Sequence, residues 1–438
     1  MSGENLNSEL FIECVGMNRI LLVPVASPMH DSMVARSILD EYRRRLEGFF
    51  DDALSLITES DQLNGLKLGG DYLAVVVPLT GGTEHIIQGV FEKLSERGFL
   101  LLAPHPAMNS LPAALEAFSA LRGSGRAWII AEWPPGHGIK KFLRAWRAVQ
   151  EIRVARIGLI GEPSPWLVYS SGAVVEEGLR EIFQGLSLIR IDLEELYREM
   201  ESAGDYSPHY AVKEIMGRAR SIQVPRSEVE KSLKVYLALR RLFEKYQLDA
   251  ASIRCFDLIG GAGTTTCLAT SILNSEMMIV GCEGDLPALI TMLLFSKLAG
   301  SPAFMGNLAW IEDEAITIAH CSAPLSILES FELDTHYESR RGVGVRGRFA
   351  EGQVVTLGRL DPATRTLRYI IGRVLKQAAR ENACRTQVRV EVRGAASELI
   401  EEAIGNHYVM VLGDVSGELA CAARIMNMRS NPLFERGR

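Results

Sequence analysis

Over the first third of the chain, short unbroken apolar runs alternate with amphipathic stretches. Asn18–Ala26, Tyr72–Leu79, Phe99–Pro104 and Ala127–Trp133 have the length and composition of strands. Between them, Met33–Phe50 (apolar at Val34, Ile38, Leu46 and Phe49), Glu84–Glu96 and Leu111–Leu121 place apolar residues at helical spacing. Continuous apolar strands joined by helices predict a parallel sheet covered on both faces. The pattern predicts an open α/β domain over residues 1–153.

The same texture resumes near Val154. Ala155–Gly161 and Leu186–Ile191 are predicted strands, Val174–Phe183 a helix, and a long helical stretch starts at Asp192. Ser227–Tyr246 is a helix rich in charge pairs. Ile253–Ile259, Glu276–Gly284 and Pro302–Asn307 then alternate with apolar helices such as Pro287–Leu298. This predicts a second α/β domain over 154–325. After His320, Gly342–Leu375 shows period-two runs broken by frequent turn signals, which predicts an antiparallel sheet or barrel. A helix (Ala395–Ile404), a strand (His407–Leu412) and a helix (Gly417–Met426) follow. The fold class is thus α/β: two open parallel-sheet domains, then a smaller antiparallel, β-barrel-like domain over 326–438.

Composition narrows the classes. The 438 residues are 47% hydrophobic and 23% charged, values typical of a folded protein and not of a disordered one. The net charge of −7 argues against general nucleic-acid or membrane-surface binding, and no apolar run reaches the ~18 residues that span a bilayer. The polar start lacks the basic segment of a signal peptide, so a cytoplasmic location is expected. Seven scattered cysteines (14, 255, 267, 282, 321, 384 and 421) without a CxxC pair read as buried thiols. Charge is unevenly spread: Glu338–Arg393 holds thirteen basic and five acidic residues. This surplus is either a solvated outer face or an anion-attracting wall near a site or subunit boundary. The stretch lacks the interleaved aromatics of a nucleic-acid stacking platform.

Candidate chemistry concentrates near an apolar strand ending at Cys282. Glu283 and Asp285 follow it and precede a helix, and ligands gather beyond the carboxyl ends of strands in open α/β sheets. Two carboxylates there call for compensation. That is either a divalent metal, or helix capping by Asp285 with Glu283 paired to an arginine. Asn307 and His320 sit at comparable strand ends, and His407 precedes the strand 408–412. A carboxylate, an amide and two histidines suit Mn²⁺ or a similar cation. Arg254 and Asp257 either bind substrate or bind each other. Trp166 either stacks on a sugar face or packs. Thr80–Glu84 and Gly260–Thr266 are Gly-rich turns without a nucleotide-loop pattern; either can receive an anion or simply turn the chain.

Glu283-Gly284-Asp285 ahead of a helix, Leu298-Ala299-Gly300, Phe304-Met305-Gly306-Asn307 and Gly405-Asn406-His407 together resemble the L-fucose isomerase / L-arabinose isomerase superfamily. The likeness is to its divergent fucose isomerase-like group. Leu79–Glu84, Asn109–Glu116, Ile157–Leu167 and Thr335–Ser339 extend the resemblance over nearly the whole chain. It implies two α/β domains and a β-barrel domain, Mn²⁺-dependent aldose–ketose interconversion through a cis-enediol, and homo-oligomers (trimers or hexamers). Glu283 falls on the family's first metal-binding glutamate, which implies that it serves as ligand and base, and His407 falls on its C-terminal histidine ligand. His320 falls near a further histidine ligand of the arabinose branch. The second carboxylate's place holds Asn307, which can coordinate through oxygen but cannot act as a base; Asp285 is the candidate replacement, provided the chain is extended from 283 to 285. The implied partner is a sugar; the arginines add an anionic sugar (phosphorylated, sulfonated or uronic) as a variant. The alternative is a non-catalytic sugar-binding or regulatory paralogue.

Overall fold

The computed structural model describes residues 19–432 except 67, 69, 203–208, 313, 377–379 and 393–395. Cys14, the polar start and the first residue of the helix predicted from Ala395 lie outside the described residues. The chain divides into two compact units, 1–151 and 152–438.

In the first unit, β1 (Ile20–Val25), β2 (Asp52–Ala53), β3 (Leu73–Pro78), β4 (Phe99–Leu102) and β5 (Ala127–Ile129) form one parallel sheet in the order β2-β1-β3-β4-β5. β1, β3 and β4 are buried along their whole length, which is why they read as continuous apolar runs. Val23, Val76 and Leu100 pack with Ile86, Ile87 and Val90 of the helix Glu84–Lys93.

The second unit starts with a parallel sheet of β6 (Arg156–Ile160), β7 (Ser187–Ile191), β8 (Ala250–Ile253) and β9 (Ile279–Cys282), in the order β7-β6-β8-β9. The run Ile253–Ile259 is not a strand. β8 ends at Ile253, and Asp257–Gly261 forms a short helix. Helix Leu286–Ala299 leaves β9 and is buried almost all round, matching its lack of a polar face.

A hairpin of β12 (Ser330–Asp334) and β13 (Gly344–Arg348) accompanies a larger sheet. That sheet contains β10 (Phe304–Glu312), β11 (Ala315–His320), β14 (Val354–Asp361), β15 (Thr366–Val374), β16 (Thr386–Glu391), β17 (His407–Leu412) and β18 (Arg429–Pro432). Its order is β14-β17-β10-β11-β16-β15-β18, and β15 also pairs with β14. All these pairings are antiparallel except β15–β18.

The sequence pattern attached 302–307 to the alternating α/β texture. The structure instead runs β10 antiparallel between β11 and β17. Asn307 therefore lies within a nine-residue strand and not at the end of one, directly opposite His407. Helix Leu286–Ala299 packs against β9, β14 and β17. The carboxyl end of the parallel sheet thereby meets the start of β17. Among the described residues, no helix is long and apolar enough to cross a membrane.

Candidate metal centre

Glu283, His320 and His407 converge. Each offers one ligand atom, and these atoms lie within 4.8 Å of one another, all on buried side chains. The Glu283 Oε1 atom is 3.5 Å from His407 Nε2 and 3.9 Å from His320 Nε2.

Local structure delivers each group. Beyond β9 the chain turns sharply: Glu283 has φ 68° and Gly284 φ 76°. A side chain at Gly284 would come within 2.6 Å of the Pro163 backbone, so this close approach needs glycine. The chain is not extended from 283 to 285, and the two carboxylates do not share a face. Glu283 faces the histidines, whereas Asp285 caps the helix Leu286–Ala299 by accepting from Ala288 N–H at 3.0 Å. His320 ends β11, and His407 begins β17.

Asp285 is fully buried, and both of its oxygens are engaged. They meet Arg359 Nη2 at 2.9 and 3.0 Å, and Oδ2 accepts from His407 Nδ1 at 2.9 Å. A carboxylate only accepts, so His407 carries a proton on Nδ1, and Nε2 is the nitrogen turned to Glu283, free to offer a lone pair to a cation once its own proton is displaced. The Asn406 amide lies 3.4 Å from that same nitrogen. His320 Nδ1 is held by the Ser322 hydroxyl at 2.8 Å, which leaves its Nε2 toward Glu283 as well. A carboxylate oxygen and two oriented imidazole nitrogens form a donor set that fits a divalent cation with ordinary second-sphere support.

Arg359 was not singled out by sequence reasoning. It lies in the mostly apolar strand β14 and is fully buried. Besides Asp285 it donates to the His407 carbonyl (2.6 Å) and to Ser170 Oγ (2.7 Å). An arginine in the middle of an apolar strand was the available signal, since a buried guanidinium needs a buried acid.

The remaining expected residues fall around this centre. Trp166 is about half exposed and donates its indole N–H to Glu283 Oε2 at 2.6 Å, while its ring meets Phe256 edge-on at 5.0 Å. Asn307 Oδ1 accepts from Asn406 Nδ2 at 2.9 Å. Arg254 Nε pairs with Asp257 at 3.1 Å. None of the six described cysteines is in a disulfide.

Electrostatics tie the group together. Burial alone would raise the Glu283 pKa, but His320 and His407 hold it well below the usual carboxylate range. Burial also opposes ionisation of Asp285, yet Arg359 and His407 bring it down to about 2. Burial would lower both histidines, but Glu283 raises His320, and Asp285 with Glu283 raises His407.

The signs set a pH window for the metal-free protein. The lowered carboxylates contribute stability above their ordinary values of 4.5 and 3.8, and that contribution is lost as pH falls toward their folded values. The raised histidines contribute fully below 6.5, and that contribution is lost as pH climbs through their folded values. The metal-free unfolding midpoint should therefore peak between about pH 4.5 and 6.5. A divalent cation has to displace imidazole protons, so it should bind more tightly as pH rises. Thermal melts across pH with and without chelator check this; a chelated protein whose midpoint keeps climbing above neutrality contradicts it.

No protein-family model matches the chain. The chain is similar in sequence to proteins named sulfoquinovose isomerase. That of Alkalicoccus urumqiensis is 23% identical over 439 aligned residues, covering 94% of this chain and 98% of that protein. That of Clostridium sp. is 23% identical over 347 residues, covering 74% and 76%. That of Priestia megaterium is 24% identical over 306 residues, covering 66% of each. These relatives carry the name of a sugar isomerase, and the buried Glu283–His320–His407 triad of this chain is one that can hold a divalent metal.

Proposed function

We propose that the chain is a divalent-metal-dependent aldose–ketose isomerase whose substrate is an anionic, sulfonated aldose. The observation that carries the proposal is the buried Glu283–His320–His407 triad, with Asp285 fixing the His407 tautomer. The near full-length similarity to a sulfoquinovose isomerase supports the reaction and the substrate class. Mn²⁺ as the cation, a cytoplasmic location and a homo-oligomeric state (trimer or hexamer) belong to the same reading. The circuit of strand pairings from β14 through β17, β10, β11, β16 and β15 back to β14 supports its barrel-like component.

Glu283, His320 and His407 would hold the cation, which when bound supplies a Lewis-acidic centre beside the C1 and C2 oxygens of the sugar. The Trp166 indole N–H keeps Glu283 Oε2 in place and presents its exposed ring to a sugar face. Asn307, with its oxygen occupied by Asn406, keeps its own amide N–H groups for a substrate hydroxyl. Arg254, neutralised only at one edge by Asp257, receives the anionic group. The reaction moves the C2 proton to C1 through a cis-enediol.

Asn307 favours a second reading, a non-catalytic sugar-binding paralogue, because it cannot act as a base. Incubating the protein with Mn²⁺ and sulfoquinovose in D₂O separates the two. The isomerase reading expects the ketose to appear by NMR with deuterium at C1, and glucose to react at least about tenfold more slowly, the effect of one charge-assisted contact. Binding of the sugar with neither product nor exchange supports the paralogue.

A further inference from the structure

Isomerisation requires a group that takes the proton from C2, and the carboxylates at the centre are already committed. Asp285 has both oxygens engaged by Arg359, His407 and the Ala288 N–H. Glu283 faces both histidines through Oε1 and accepts from Trp166 through Oε2. Asn307 is not a base.

The turn that follows β12 carries another carboxylate. Its His336 is buried, and its ring meets Phe256 edge-on at 5.5 Å. Phe256 in turn meets Trp166, whose indole N–H rests on Glu283. This run of rings fixes the turn beside the metal-binding triad. The Ser339 backbone N–H points at His336 Nδ1 (3.4 Å) and the Ser339 hydroxyl lies 3.0 Å from it, so His336 carries its proton on Nε2. That Nε2 lies 3.6 Å from an oxygen of Glu338. Glu338 is half exposed, reachable by a substrate, and its carboxylate is not consumed by an arginine or lysine contact of its own among the described residues.

We propose that Glu338 is the base that carries the proton between C2 and C1, with His336 as its positioning residue. The assignment rests on the isomerase reading above. The Glu338 carboxylate accepts the C2 proton, and the C2–H electron pair becomes the C1–C2 double bond of the enediol as the C1 carbonyl pair moves to O1. O1 gains a proton and O2 loses one. Glu338 then returns its proton to C1, and C2 becomes the carbonyl carbon. No oxidant or reductant is needed, since one carbon is reduced as its neighbour is oxidised.

The electrostatics agree with this placement. Burial and the Glu283 charge raise the Glu338 pKa while His320 lowers it, so the group senses two of the three members of the centre. Burial and the His320 and Arg385 charges lower His336 to about 4, which keeps it neutral and able to donate to Glu338.

The test compares wild type, Glu338→Gln and Glu338→Asp with Mn²⁺ and sulfoquinovose, reading turnover, deuterium exchange at C2, and bound metal per chain. Glu338→Gln should lose kcat and exchange by roughly 10²-fold or more, with KM within a few-fold and metal content unchanged. Glu338→Asp should recover part of the exchange. An active wild type whose Glu338→Gln variant stays within about threefold, or loses its metal, overturns the assignment while leaving the isomerase reading in place. A wild type without exchange overturns the isomerase reading and this assignment with it.

Discussion

Glu283→Gln should leave a folded protein that no longer retains a divalent cation and that isomerises about 10³-fold more slowly, the rate equivalent of ~4 kcal/mol. Glutamine fills the same volume, and its carbonyl oxygen can still accept from the Trp166 indole. What is lost is the negative charge that Oε1 presents to His320 and His407. Without it, two imidazoles face each other at a ring separation of 5.9 Å with no anionic partner on that side. The proton-holding pull on His320 also disappears, because Glu283 is what raises it. A folded protein with a lowered unfolding midpoint, lost metal and lost turnover is the expected combination, because the same charge also stabilises the fold. Turnover within tenfold of wild type with metal retained would remove Glu283 from the centre.

The second large effect is structural. Asp285→Ala should destabilise the protein by about 3–5 kcal/mol, the usual cost of stranding one member of a buried ion pair. Arg359 has no exposed surface, so water cannot take the place of the carboxylate. The same change removes the cap of the helix Leu286–Ala299, worth about 1 kcal/mol. It also frees His407 Nδ1, which should weaken metal binding by about 10- to 100-fold. A double variant, Asp285→Ala with Arg359→Met, separates these effects. Removing both charges should recover much of the stability but none of the metal affinity, since His407 still lacks its anchor. Equal recovery of both would show that Asp285 acts only on folding.

Much of this was legible in the chain. Strands β1, β3 and β4 were readable because both faces of their sheet are buried, and Glu283 was readable because it follows an apolar strand and precedes a helix. The likeness of the Gly405–His407 segment also pointed to His407. What was not legible depends on pairing at long range. Asn307 and His407 are opposite each other across β10 and β17, a hundred positions apart, and no local period reports such a register. The same holds for Arg359, whose partner Asp285 lies 74 positions away. The expectation that 283–285 is extended failed for a local reason. Positive φ at Glu283 and Gly284 turns the chain and sends the two acids to different tasks. The Thr335–Ser339 segment carries a family likeness but no local pattern that marks it for the site. Only the contacts through Phe256 and Trp166, distant in sequence, join it to Glu283.

The most direct check on the central claim is elemental analysis of the protein purified without chelator, beside Glu283→Gln, His320→Ala and His407→Ala prepared in the same way. The account predicts one divalent cation per chain in the wild type and a clear deficit in each variant, with all four proteins folded. A wild type that interconverts aldose and ketose while holding no metal, or variants that keep a full complement, would contradict it.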